Sequence, residues 1–273
     1  MELGILGPLV VSDPRGVRMP QAPKQRQLLA LLVANANHVV TVGECVEELW
    51  DGAPPASAVQ TLQTYVMKLR KSLPPEPDGS TRIHTRDQGY VFRTRPGELD
   101  LERYETEVRA ARAAAAGGAD ELAAARFAAA LRIWRGEALE GLALGPVLRT
   151  TLVGVTESRL GVLEQRIEAD LRLGRHHELL GELRMLTARH TGHENLAAQF
   201  MVAFYRCGRQ ADALAAFQRL RAVLTEQLGV EPSPRMNRLH HAVLTTDPVL
   251  DPPRRSAAPM ALDLADAPIR RAS

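Results

Sequence analysis

The stretch VQTLQTYVMKLRKSL, Val59 to Leu73, sets amides, hydroxyls and amines at helical spacing. Gln63, Thr64 and Lys68 fall at steps of one and four, so a helix carries them on one face. The chemistry open to that trio is hydrogen bonding to nucleobase edges. A glutamine carboxamide pairs with adenine, a lysine ammonium with guanine, and a threonine with a thymine methyl or an acceptor. Gln60, Thr61 and Lys71 stand beside them, and the segment contains no Asp or Glu. Val59, Leu62, Val66, Leu69 and Leu73 recur at steps of three and four and predict a single buried seam. A solvated amphipathic helix would carry the same polar cluster, so the flanking elements must decide.

Other chemistries are poorly provided for. His176, His177, His190, His193, His240 and His241 come in pairs, but neither HExxH nor a paired CxxC accompanies them, and no metal ligand set is expected. Cys45 and Cys207 lie far apart in apolar helical patterns and read as buried reduced thiols. Neither GxxxxGKS nor GxxxxGKT occurs, and no Ser or Cys has a base placed for it by the sequence. The expectation is a chain that is not an enzyme and takes no cofactor. A net charge of +2 over 273 residues requires any basic surface to be local. The N-terminal MELGILGPLVV is acidic and broken by Gly7 and Pro8, unlike a signal peptide, and no run is long enough to span a bilayer. A cytoplasmic chain with no membrane partner is expected.

Short strands are predicted at LGIL, LVV and VRM, with SDPRG as a turn. KQRQLLALLVANAN follows Pro23 as a helix with Leu28, Leu29, Leu32 and Val33 inward, ending near Asn35 to Asn37. Thr41, three residues before Glu44, opens a second helix, VGECVEELW, as a capping box does. DGAPP cannot continue that helix; the Val59 helix comes next and is closed by Pro74 and Pro75. TRIHT and GYVFRT around RDQG make a hairpin. Small sheet, three helices and hairpin, in that order, describe a winged helix-turn-helix: the third helix enters the major groove and the hairpin reaches toward the minor groove.

After Pro96 and Gly97 strand signals all but vanish. Helices are predicted near 101–116, 119–135, 147–173, 176–190, 194–207, 210–228 and 234–245. LGRHHELLGEL and CGRQADALAAF place Gly174 and Gly208 34 residues apart, the period of tetratricopeptide-like helix pairs, which cover each other's apolar faces by stacking. The fold class expected is mainly α with a small β component: a winged helix-turn-helix over 1–97, an all-α tetratricopeptide-like domain over 98–246, and a disordered tail over 247–273.

Between Gln60 and Arg95, Lys68, Arg70, Lys71, Arg82, Arg86, Arg93 and Arg95 face only Glu76, Asp78 and Asp87. Such an edge would neutralise phosphates, which orient a protein on a duplex without reading sequence. Arg86, at the hairpin tip, is the candidate for the minor groove; an ordinary exposed turn arginine is the alternative.

LGPLVV, MPQAPKQRQLLALL, ELWDGAPPASA, LQTYVMKLRKSL, TRDQGYVF and LDLERYE, in this order, resemble the Streptomyces antibiotic regulatory proteins, the SARP transcriptional activators. The resemblance covers residues 1 to about 246 and implies an OmpR-like winged helix followed by a bacterial transcriptional activation domain. It implies activation of a secondary-metabolite (antibiotic) gene cluster. In that scheme the chain binds direct repeats near the promoter as a tandem homodimer, contacts RNA polymerase holoenzyme, and acts in the cytoplasm on the nucleoid. Trp50 matches a position that touches the DNA backbone in winged-helix relatives; a core tryptophan is the equal alternative. Gln60, Thr61, Arg70, Lys71 and Thr85 are the other backbone or flanking candidates. The loop Asp51, Gly52, Ala53, Pro54 and Pro55 corresponds to a surface for polymerase, its sigma factor in particular, with a plain connector as the alternative. Met19 stands where the family has Leu, and Met67 and Gln60 stand where the wider OmpR-like group is often basic, so base preference does not carry over. A small SARP with these two core domains is expected. The competing reading is a tetratricopeptide-type adaptor whose winged helix binds protein, because fold alone does not fix function.

Overall fold

The computed structural model of the chain describes residues 1–13, 16–17, 19–76 and 78–251. It divides into two compact units, Met1–Arg166 and Ile167–Ser273.

In the first unit, strands β1 (Glu2–Gly4), β2 (Val10–Asp13) and β3 (Gly16–Val17) form an antiparallel sheet in that order. The LGIL strand is shorter than expected. Beyond Gly4 the Ile5 and Leu6 amides donate to the Asp100 carboxylate at 2.9–3.0 Å, while their carbonyls accept from Leu139 and Arg135. Pro14, Arg15 and Arg18, in the predicted SDPRG turn and VRM strand, lie outside the described residues. Helix α1 (Pro23–Ala34) starts on a proline, which costs nothing where the amide has no helical partner, and buries Leu28 through Val33 without interruption. Each fully buried leucine contributes about 1.5–3 kcal/mol relative to exposure, an upper estimate.

The strand β4 (Val39–Thr41) is an element the sequence pattern does not reveal, because three residues are too few to show alternation. It runs into α2 (Val42–Trp50), whose capping box is present: the Thr41 hydroxyl accepts from the Glu44 amide at 3.1 Å, and Glu44 accepts from the Thr41 amide at 2.7 Å. Helix α3 (Ala58–Ser72) follows, then the hairpin β5 (Ile83–Arg86) and β6 (Gly89–Phe92). A second antiparallel sheet has the order β4-β6-β5, with Val40 opposite Tyr90 and Arg86 opposite Gly89. A Cβ at Gly89 would run into the Val40 carbonyl, so close strand approach requires the glycine. Helices α1 to α3 and the hairpin make a winged helix-turn-helix.

Helices α4 (Asp100–Ala116) and α5 (Asp120–Arg132) pack as a hairpin, and α6 (Pro146–Arg172) carries the chain across the division at Arg166. Helix α5 stops short of the expected residue 135 because the Arg135 amide leaves the helical pattern and donates to the Leu6 carbonyl at 2.7 Å.

The second unit holds α7 (His176–Arg189), α8 (Glu194–Arg206), α9 (Gln210–Val223) and α10 (Pro234–Leu244), with a π-helical turn at Leu224–Leu228. The 34-residue repeat is structural as well as sequential. Gly174 and Gly208 both take left-handed φ, 76° and 70°. At each, the glycine amide bonds three residues back and the next amide bonds five residues back, Arg175 to Asp170 and Arg209 to Phe204. These are Schellman caps. The first residues of the disordered tail expected from Asp247 are instead ordered against the second unit: Asp247 caps a 3₁₀ turn at Pro248–Leu250, Leu250 is buried, and Arg206 donates to its carbonyl at 2.8 Å. Residues 252–273 lie outside the described residues. Among the described residues no helix is long and apolar enough to cross a membrane.

Candidate nucleic-acid interface

Helix α3 buries Ala58, Leu62, Val66 and Leu69, with Leu73 just beyond its end. Val59 does not join that seam: it is 47 % exposed, and Ala58, four residues before Leu62, takes the inward place. Gln60, Gln63, Thr64, Met67, Lys68 and Lys71 are exposed and Thr61 is half-buried. The three base-reading candidates are thus free of covering side chains, on a helix held from behind by apolar contacts. The Thr64 hydroxyl donates to the Gln60 carbonyl at 3.0 Å, which spends its proton on the helix and leaves its oxygen lone pairs and methyl outward. Thr64 therefore offers an acceptor and an apolar contact.

Besides the shared apolar core, Arg70 hydrogen-bonds the hairpin to α3. Arg70 Nε donates to the Ile83 carbonyl at 2.9 Å and its Nη2 to Thr85 Oγ1 at 2.8 Å. Arg70 and Thr85, both sequence candidates for flanking contact, are therefore bonded to each other, and the bond fixes where the wing stands relative to the helix. Arg86 is exposed beside the Asp87–Gln88 turn, and its Nη1 donates weakly to the Thr85 carbonyl at 3.3 Å.

The basic edge is smaller than the sequence count. Arg82 is 3 % exposed and forks onto Glu98 at 2.8 and 3.0 Å. Arg95 binds the same carboxylate at 2.7 Å. Burial pushes the Glu98 carboxyl up, but the hydrogen bonds from Arg82 and from the Arg95 backbone and side chain outweigh it and hold the group at about 2. Glu98 lies just outside the stretch from Gln60 to Arg95, so the local charge balance of that stretch overstates the cations left for DNA. Lys68, Lys71, Arg86 and Arg93 are exposed with no ion pair among the described residues.

Behind this face, Trp50 is half-buried against the core, and Lys24 lies 4.6 Å from its ring centroid while donating to the Leu49 carbonyl at 2.8 Å. The lysine caps the carbonyl end of α2 and covers one indole face. The loop Asp51–Pro55 is exposed throughout; Asp51 takes a left-handed φ of 47° to end α2 and lies 3.7 Å from Arg149. Glu48, 1 % exposed, accepts from the Gly145 amide at 2.6 Å, the Leu148 amide at 2.9 Å and Gln27 at 3.0 Å. It caps α6 from the middle of the helix-turn-helix. Sequence reasoning missed Lys24 and Glu48. A glutamate inside an amphipathic helix carries no signal of burial when its partners lie about a hundred residues away.

Cys45 is buried, and its thiol is pushed up to about 12 by that burial and by Glu44 and Glu48. Cys207, expected to be buried, is half-exposed and 3.3 Å from His177 Nδ1.

Residues 16–92 match the family described as Transcriptional regulatory protein, C terminal, and residues 99–244 match Bacterial transcriptional activator domain. Regulatory protein DnrI of Streptomyces peucetius is 44 % identical over 257 residues, which cover 92 % of this chain and 94 % of DnrI. The chain belongs to the SARP family of transcriptional activators. Regulatory protein AfsR of Streptomyces coelicolor is 37 % identical to this SARP over 253 residues, and there the chain spans 25 % of the relative's length. The solved structure of Mycobacterium tuberculosis EmbR in complex with a low affinity phosphopeptide superposes with a TM-score of 0.84 at 32 % identity, covering 93 % of this SARP and 66 % of EmbR. A SARP is a transcription regulator, and its two matched segments hold the winged helix and the helices after it.

Proposed function

We propose that this SARP activates transcription of a secondary-metabolite gene cluster by seating α3 in the major groove at direct repeats near a promoter, as a tandem dimer. Gln63, Thr64 and Lys68 read base edges. Gln60, Thr61 and Lys71 meet the flanking backbone, Arg70 and Thr85 set the wing, and Trp50 closes the backbone contact from α2. Arg86 reaches toward the minor groove, and the Asp51–Pro55 loop meets RNA polymerase holoenzyme at its sigma factor. The observation that carries the reading is an acid-free polar face on α3, uncovered over its length and backed by an apolar seam. A winged helix used only on protein has no need of that face.

The test is anisotropy on a promoter duplex and its single-base variants. Lys68→Ala and Gln63→Ala should each cost about 1–3 kcal/mol and relax preference at one base pair. Unchanged affinity and preference in both variants would remove α3 from the groove.

A further inference from the structure

The second unit brings together three soft donors that DNA reading leaves unused. His176 and His177 open α7, and Cys207 is the C-cap of α8. One ring nitrogen of each histidine and Cys207 Sγ all lie within 4.8 Å of one another. Sγ is 3.3 Å from His177 Nδ1, and the two imidazoles are tilted at 40° with centroids 4.7 Å apart. His176 Nδ1 is buried and meets no hydrogen-bond partner among the described residues, an uncommon condition for a buried ring nitrogen. The fold builds the cluster: α7 and α8, joined by the turn at 190–193, pack against each other and so set the first turn of α7 beside the end of α8.

We propose that His176, His177 and Cys207 form a binding site for Zn²⁺. The donor set is two imidazoles and a thiol, without a carboxylate, which suits a borderline-soft ion and not Ca²⁺ or Mg²⁺. Zn–S near 2.3 Å and Zn–N near 2.0–2.1 Å in a tetrahedron set sulfur and nitrogen about 3.5 Å apart, close to the spacing already present. The ion replaces the contact between Cys207 and His177. The thiol gives up its proton to solvent, the thiolate and two neutral imidazoles each supply a lone pair, and water takes the fourth position. Arg206, just before Cys207, and Arg209, two residues after it, disfavour a bare dication; the thiolate offsets them. A bound ion would staple α7 to α8 at the ends remote from the turn that joins them.

The test is a titration of the full, metal-free chain with Co²⁺, read by thiolate-to-cobalt charge-transfer absorption and reversed by Zn²⁺. One equivalent is expected. Cys207→Ser should abolish the band, His176→Gln and His177→Gln should each weaken binding at least tenfold, and Cys45→Ser should leave it intact. His177 is exposed, so His177→Gln should match the parent's metal-free melting temperature and keeps the test valid if His176→Gln fails to fold. No band in the parent chain, a band surviving Cys207→Ser, or parental affinity in His177→Gln would each overturn the site.

Discussion

The salt dependence of DNA binding distinguishes the cations that can reach the duplex from those the fold already holds in internal contacts. Of the basic residues between Gln60 and Arg95, those exposed and without an ion pair among the described residues are Lys68, Lys71, Arg86 and Arg93; Arg82 and Arg95 bind Glu98, and Arg70 holds the wing. A cation lodged against the duplex displaces condensed counterions whether it sits at a phosphate or in a groove; at about 0.9 per cation, those four side chains give a slope of log K against log salt of roughly −3.6 per protomer. Raising salt from about 50 to 200 mM should then weaken binding to a duplex carrying one repeat roughly 150-fold. If the arginines held by Glu98 and the wing also contributed, the loss would be roughly 6000-fold. The assay is anisotropy across a potassium chloride series, repeated for Lys71→Ala and Arg86→Ala, each of which should flatten the slope by about 0.9 and cut the loss to roughly 40-fold. A parental slope near −6, or slopes indifferent to both substitutions, would refute the assignment of these side chains to the DNA face.

Three further outcomes follow from the buried polar contacts. Glu48→Ala strands the amides of Gly145 and Leu148 and should cost about 1–3 kcal/mol by urea denaturation, whereas Glu47→Ala, on the exposed side of the same helix, should stay within about 0.5 kcal/mol. The Glu98 carboxyl sits at about 2 against an ordinary 4.5, so its stabilising contribution, at most about 3 kcal/mol, is complete above pH 4.5 and lost as pH falls toward 2. The stability gap between the parent and Glu98→Gln should therefore shrink over that interval; a gap constant from pH 7 to 2.5 would sink the account. Arg70→Ala should accelerate hydrogen exchange in β5 and β6 while leaving α3 protected, because it unfastens the wing alone.

What the sequence made legible was what short-range physics controls. Thr41 and Glu44 announced α2 because a capping box is complete within four residues, and prolines bounded α1 and α3 for the same local reason. Gly174 and Gly208 revealed the repeat because both ends of the period need a left-handed residue. The outward face of α3 came from periodicity, which erred only at Val59, where the first helical turn buries its neighbour instead. Contacts that depend on distant chain were not visible. Arg82 counts toward the phosphate-facing edge in the sequence, but the fold sets Glu98 against it; β4 needs β6 to become a strand, and Cys207 gains its histidine neighbours only through the stacking of α7 on α8.

The carboxylates of Glu48 and Asp100 set how short a working piece of this regulator can be. A fragment ending at Gly97 would keep every side chain assigned to DNA, yet it would strand Glu48 with no amides to receive and leave Ile5 and Leu6 without the acceptor that Asp100 supplies. Both deficits lie inside the hydrophobic interior, where water cannot readily make them good. Chimaeras that exchange recognition specificity between relatives should accordingly be spliced near Arg166, carrying α4, α5 and the greater part of α6 along with the winged helix they complete.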